Sequence, residues 1–233
     1  MNQKNSKIAL VTGGNRGIGF AIAQGLQAKG YRLIVTARSL DKAQAAAAKL
    51  GATTIPLELD ISSDRSIEKA TTTLKQNIER LDVLVNNAGI YPDSNVDILT
   101  TTRDLLALGM NTNAFGTILT VQALLPLLEQ SQDPRVINIS SGMGALDGLT
   151  TTAPSYCLSK LALNGATIML AQSLESKGIV VNAICPGWVK TDMGGTSAPR
   201  SPQEGADTAI WLATEASRDE SGKFWRDRHV ISY

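Results

Sequence analysis

Largely apolar runs, rich in β-branched residues, recur along this chain, and each is followed by a stretch of helical character. The runs are KIALVTG (7–13), YRLIVTAR (31–38), TTIPLELD (53–60), LDVLVNNAG (81–89), RVINISS (135–141) and GIVVNAICPG (178–187). A strand apolar on both faces must be covered on both faces, and strands joined through helices run parallel. The pattern therefore predicts an α/β fold, a doubly wound parallel sheet with helices on both faces. Helices are expected over 17–30, over 39–51 with Ser39 as N-cap, and over 62–79 with a cap at Ser62 or Ser63. Further helices are expected over about 97–130 (interrupted near Gly109 and Pro126), from Pro154 to about Lys177, and over 201–214. HVISY (229–233) reads as an edge strand. With no repeat and no linker, a single domain over 1–233 is expected.

The bulk numbers exclude more than they identify. At 233 residues, 43% hydrophobic and 18% charged, the chain suits one sizeable core. A formal charge of +1 gives no global attraction to nucleic acid or to an acidic membrane surface. Cys157 and Cys185 read as reduced core thiols. With His229 the only histidine, neither a metal site nor a Ser-His-Asp hydrolase is expected. Nothing before the first strand resembles a signal peptide, and no run is long enough to cross a membrane, so a cytoplasmic protein is expected.

The first strand runs into TGGNRGIG (12–19), which puts Gly13, Gly17 and Gly19 on a strand-to-helix turn. Such a loop lets backbone approach a pyrophosphate and aims a helix N-terminus at it, as in the Rossmann fold. Asn15, Arg16 and Ile18 belong to the same cradle. At the end of the second strand, Thr36-Ala37-Arg38, the carboxylate that would hold the ribose hydroxyls of NAD is absent. Arg38 and Arg16 suit a 2′-phosphate instead, which favours NADP(H); either one taken alone also reads as a solvated surface charge.

The spacing T-G-x-x-x-G-x-G resembles the short-chain dehydrogenase/reductase family. NNAG (86–89), Asn113 three residues before Gly116, SS (140–141), YCLSK (156–160) and PGWVKT (186–191) follow in that family's order. TARS, NISSGMG and CPGWVKTDM are most similar to its carbonyl-reductase-like members. The resemblance spans essentially the whole chain. It implies that Tyr156 protonates a substrate carbonyl, that Lys160 holds the nicotinamide ribose, and that Ser141 positions the substrate oxygen, with Ser140 as rival. Asn113 would complete a proton relay, with Asn111 as the competing choice and a backbone-bonded helical asparagine as the plainer reading. Asp60, with Ile61, would meet the adenine or merely cap the next helix. Asn87, Ala88 and Gly89 would face the adenosine ribose and the nicotinamide half, and Pro186, Gly187, Val189 and Thr191 the nicotinamide. Met143, Trp188 and Met193 are candidates for the substrate wall, the last two equally for packing.

Residues i and i+4 share a helix face, so Tyr156 and Lys160 point the same way. A nearby ammonium favours a phenolate, so the Tyr156 pKa is expected to fall toward neutrality. The substrate pocket is expected from 90–96, 141–155 and 186–201. Fifteen residues separate Ser141 from Tyr156. That interval is slightly longer than in many members but lacks the long insertion of monomeric carbonyl reductases. GGTSAPR, a short lid, is expected to be mobile until a ligand binds.

The expected activity is NADPH-dependent reduction of a small-molecule ketone or aldehyde. An acyl-carrier-protein ketoreductase and a non-catalytic NADP-binding sensor are the alternatives. LALNGATIMLAQSLESKG (161–178) and TILTVQALLPLL (117–128) are apolar nearly all round, which predicts a homodimer through these helices. A tetramer stays open through the C-terminal strand.

Overall fold

The computed structural model describes residues 6–233. The signal-peptide reading rests in part on residues 1–5, outside the described residues. Eight strands form one sheet in the order β3-β2-β1-β4-β5-β6-β7-β8. They are β1 (Ile8–Val11), β2 (Arg32–Ala37), β3 (Ile55–Glu58), β4 (Val83–Asn86), β5 (Arg135–Ile139), β6 (Val180–Ile184), β7 (Phe224–Arg226) and β8 (His229–Ile231). All neighbours pair parallel except β7 with β8.

Helices α1 (Gly17–Ala28), α2 (Leu40–Leu50) and α7 (Pro202–Thr214) cover one face, over Ala9, Val11, Leu33 and Val35. Helices α3 (Asp64–Asn77), α5 (Gly116–Leu128) and α6 (Pro154–Leu174) cover the other, over Ile8, Leu10, Ile34 and Leu84. Alternate residues of one strand thus enter opposite cores, which is why its sequence is apolar without a break. The strand order reverses between β1 and β4, and the crevice beyond the carboxyl ends of the strands opens there.

Two expectations need correction. The long helical stretch starts at α4 (Arg103–Gly109), where the Thr102 side chain accepts a bond from Leu105 N; residues 97–101 instead run beside Thr151 and Thr152. Ser39 precedes α2 without a side-chain cap, whereas Ser63 does cap α3. The expected C-terminal edge strand is present as β8, one arm of a hairpin whose other arm, β7, lies between it and β6. Among the described residues, no helix is long and apolar enough to cross a membrane.

Candidate active site

The loops after β1 and β4 are bound to each other across the crevice. Thr12 Oγ1 accepts from Asn87 N at 2.9 Å and from Ala88 N at 3.0 Å, and Asn87 Nδ2 donates to Thr12 O at 2.9 Å and Gly13 O at 3.2 Å. A Cβ on Gly19 would stand 2.3 Å from Asn87 Nδ2, so only glycine admits this brace. Gly17 opens α1 at φ 54°, a left-handed conformation that glycine takes without strain. Arg16, the N-cap residue, gives no side-chain cap, and the first turn holds no acidic residue. The N–H groups there keep their capacity to bind an anion.

On the other side of the crevice, α6 begins at Pro154 after Ala153, which sits at φ 56° and caps nothing. A buried carboxylate from the β4 loop caps it instead. Asp93 accepts from Ser155 N at 2.5 Å and from Tyr156 N at 3.3 Å. The first turn of α6 is thereby fixed where Tyr156 reaches the cleft. The Tyr91 ring lies against the Tyr156 ring, centroids 4.6 Å apart, and Lys160 Nζ stands 5.8 Å from the Tyr156 centroid. Lys160 Nζ donates to Ile139 O at 2.7 Å. Ser141, after β5, stands near enough to the Tyr156 hydroxyl to offset part of the rise that burial imposes on the phenol's pKa, while its Oγ accepts from Met143 N at 3.2 Å. Ser140 instead turns toward the Lys160 carbonyl, since adjacent strand residues face opposite ways.

The model of the short chain dehydrogenase family matches residues 7–201. This chain belongs to the short-chain dehydrogenases. Among curated short-chain dehydrogenases and their kin it is 33% identical to carbonyl reductase (NADPH) 1 of Sus scrofa, over 98% of this chain and 95% of that protein. It is 36% identical to a 3-oxoacyl-(acyl-carrier-protein) reductase of Bos taurus, over 80% of this chain and 77% of that one. The crystal structure of an NADPH-bound carbonyl reductase from chicken fatty liver superposes with a TM-score of 0.90, at 29% identity, covering 98% of this chain and 99% of that chain.

Within this short-chain dehydrogenase, the largest departure from expectation is the state of the tyrosine. Burial pushes the Tyr156 phenol up to about 12, and outweighs the opposing bond to Ser141. Burial also pushes the Lys160 ammonium down to about 8. The ammonium sits toward the ring face, bonded to a carbonyl, and the phenol stays protonated at neutral pH.

Asn113 is fully buried in a π-helical turn (Met110–Phe115) between α4 and α5. It accepts from Ile90 N at 2.8 Å and donates to Ile90 O and Ser159 Oγ, both at 2.9 Å. It thus pins the pocket loop to α6, and Gly89 leaves a gap beside it, where a Cβ would lie 3.1 Å from Asn113 Oδ1 and 3.5 Å from Lys160 Nζ. Asn111 is exposed and bonds Ser62 O. A Cβ on Gly116 would strike Ile61 O at 2.2 Å, which accounts for the glycine in the Asn-x-x-Gly spacing.

Asp60 Oδ1 accepts from Ser62 N and Ser62 Oγ, so one oxygen serves the turn before α3. Thr191 Oγ1 accepts from Gly194 N at 3.0 Å inside its own loop. The loop expected to be loose is tied at its base by a Val189–Arg200 bridge and across by Trp188 Nε1 donating to Gly194 O. Arg16 is ion-paired to Asp192 of that loop, and Arg38 stands exposed after β2. Trp188 and Met193 are exposed, and Val189 is buried. Asp93 and Tyr91 were missed, because neither a carboxylate 62 residues before its helix nor a lone tyrosine in a loop gives a local signal.

Proposed function

We propose that this chain is an NADP(H)-dependent carbonyl reductase, NADPH + H⁺ + ketone or aldehyde → NADP⁺ + alcohol. The observation that carries this reading is geometric: Asp93 fixes the first turn of α6 so that the Tyr156 ring stands at the cleft with Lys160 Nζ 5.8 Å from its centroid and Ser141 near its hydroxyl. The crevice fits a dinucleotide, because the start of α1, uncapped by any side chain and entered through Gly17 at φ 54°, offers its N–H groups to an anion.

Gly13, Asn15, Arg16, Gly17, Ile18 and Gly19 would hold the pyrophosphate, and Arg38 with Arg16 the 2′-phosphate. Asp60 and Ile61 would meet the adenine, and Asn87, Ala88 and Gly89 the sugar and nicotinamide half. Tyr156 and Lys160 would hold the second ribose, and Pro186, Gly187, Val189 and Thr191 the carboxamide. When bound, the dinucleotide supplies the hydride.

Ser141 donates a hydrogen bond to the substrate carbonyl oxygen and aims it at Tyr156. Tyr156 gives its proton to that oxygen as negative charge builds there; a developing alkoxide is basic enough to take it from a phenol of pKa about 12. Lys160 places positive charge near the ring, which stabilises the phenolate left behind. Tyr91, Met143, Trp188 and Met193 supply apolar walls that keep water from the reacting carbon.

The resemblance to the bovine carrier-protein reductase supports a second reading, a 3-oxoacyl thioester as substrate. Basic residues beside the cleft are largely neutralised, however: Arg200 is paired with Asp227 and Arg228 with Asp207. That leaves a poor landing surface for an acidic carrier. An NADPH-oxidation screen over ketones, aldehydes and carrier-bound acyl thioesters separates the readings. No turnover of any carbonyl would overturn both.

The assembly part of the reading is a homodimer through α5 and α6, supported by Leu119, Leu158 and Met169, which these helices leave exposed. Light scattering at micromolar concentration should give twice the chain mass; a single-chain mass that persists on concentrating would exclude it.

A further inference from the structure

The wall beside Ser141 carries a guanidinium that the reaction above does not use. Strand register sets Ile184 opposite Trp225, so Cys185 and Arg226 come side by side at the carboxyl edge of the sheet. Arg226 Nη2 donates to Cys185 Sγ at 2.7 Å, and Gly142 N donates to the same sulfur at 3.1 Å. A Cβ on Gly142 would come within 3.0 Å of Arg226 Nη2. The missing side chain at 142 is the space into which the guanidinium reaches, one residue from Ser141. Cys185 is near enough to Tyr156 to help hold the phenol's pKa up. One thiol therefore separates the guanidinium from the hydroxyls that meet the carbonyl oxygen.

The charge at this point is not consumed by the protein. The other two arginines at this end of the cleft hold carboxylates in two-bond forks. Arg200 takes Asp227 at 2.6 and 3.1 Å, and Arg228 takes Asp207 at 2.6 and 2.8 Å. Arg226 forms no ion pair among the described residues, and it feels Asp227 only as a nearby charge. Its partner is a thiol, a weak acceptor, and its side chain is exposed. A guanidinium with donors to spare, beside Gly142 and Cys185 at the edge of the apolar walls proposed above, matches a ligand that is apolar along its body and anionic at one end.

We propose that Arg226 is a specificity-determining residue, and that the preferred substrates are carbonyl compounds bearing a carboxylate, which Arg226 binds through a two-bond fork while Ser141 and Tyr156 hold the carbonyl. This rests on the carbonyl-reductase reading. The carboxylate is unchanged in the reaction: the carbonyl carbon gains the hydride, its oxygen gains the Tyr156 proton, and solvent restores that proton.

The experiment compares aryl keto acids of increasing chain length with their methyl esters, as kcat/KM with NADPH and the purified protein. At the length that spans Ser141 to Arg226, the acid should be preferred by about tenfold or more, the scale of a hydrogen bond to a charged group. Arg226→Met should cut that acid-to-ester ratio by about tenfold, mostly through KM, and Arg226→Lys should keep part of it. Esters reduced as well as acids at every length, or a ratio unmoved by Arg226→Met, would overturn this proposal alone. Failure to reduce any ester or acid would overturn the carbonyl-reductase reading and this proposal with it. Should Arg226→Met not fold, inhibition of wild-type ester reduction answers the same question. Arylalkanoic acids should inhibit more strongly than their amides, and equal inhibition would sink the idea.

Discussion

The two sides of the crevice solve the problem of holding charge in opposite ways. On the glycine-loop side, the charged groups Arg16, Arg38 and Asp192 all lie in water, and the one ion pair there joins side chains 65% and 74% exposed. Across the crevice, Lys160 is 5% exposed and the Tyr156 ring is half-buried against Tyr91. Exposed charges are screened and replaceable, whereas buried ones move their own pKa values and cannot be lost cheaply. The first region is suited to reversible capture of a dianionic phosphate, the second to a proton kept in one place. Substitutions should therefore have graded effects across the crevice.

The largest effect is expected at the buried side. Tyr156→Phe keeps the ring that packs on Tyr91 and removes only the proton donor. It should lower kcat for carbonyl reduction by about 10²–10⁴-fold while NADPH binding, followed by fluorescence, persists. Near-normal turnover would remove Tyr156 from the chemistry and erase the contrast between the two sides.

The next effect is one of pH. In the folded chain Lys160 loses its proton near pH 8, and Tyr156 keeps its proton to about 12. The ammonium that stabilises the phenolate is present below about 8 and disappears above it, so kcat/KM should fall with an apparent pKa near 8. Stability responds with the other sign. Between about 8 and the ordinary lysine value of 10.5, the unfolded chain binds the proton that the folded chain has released, so the Lys160 contribution to stability rises with pH across that window. Above 10.0 the unfolded tyrosine ionises while the buried one resists, and Tyr156 lowers stability as pH rises further. A flat rate profile to pH 10 would show that the buried ammonium is not needed.

The two sides also differed in how plainly the sequence announced them. The sheet and the glycine loop follow from apolar runs and glycine spacing, and the shared face of Tyr156 and Lys160 from helical period, all of which are local; the choice of Ser141 over Ser140 comes from the family resemblance. What was hidden depends on contacts between distant segments. Spacing places Lys160 beside Tyr156, but only packing shows that burial outweighs the ammonium. Asp93 caps α6 from another loop, and the π turn that buries Asn113 has no compositional mark. Strand β7 escaped because it is three residues long and its hairpin turn uses Asp227 at φ 50° and Arg228 at φ 62°. Those are positions where glycine or asparagine would have signalled the turn. Arg226 escaped with it.

On the exposed side, cofactor choice should move by a moderate amount. Arg38→Ala with Arg16→Ala removes two cations from the 2′-phosphate position, and Ala37→Asp adds repulsion and an acceptor for ribose hydroxyls. The kcat/KM ratio of NADPH to NADH should fall by about 10²-fold, the scale of two hydrogen bonds to a charged group. A wild-type protein that uses NADH as well as NADPH would break the assignment at the start.

The smallest effect should come from the ion pair on the exposed side. Arg16 faces two anions in turn, Asp192 in this structure and the 2′-phosphate in the cofactor reading. An exposed pair of this kind is worth about 0.2–1 kcal/mol, or up to about fivefold in affinity. Asp192→Asn releases Arg16 without removing it, so the Kd for NADPH should decrease by no more than that factor, while the Kd for NADH, which offers Arg16 no phosphate, stays put. The gain should shrink as salt is raised, because both partners lie in water. A larger change, or one shared by NADH, would mean that Asp192 holds the 190–199 loop in place rather than competing for a guanidinium. In that case the exposed side would be doing structural work that the comparison assigns only to the buried one.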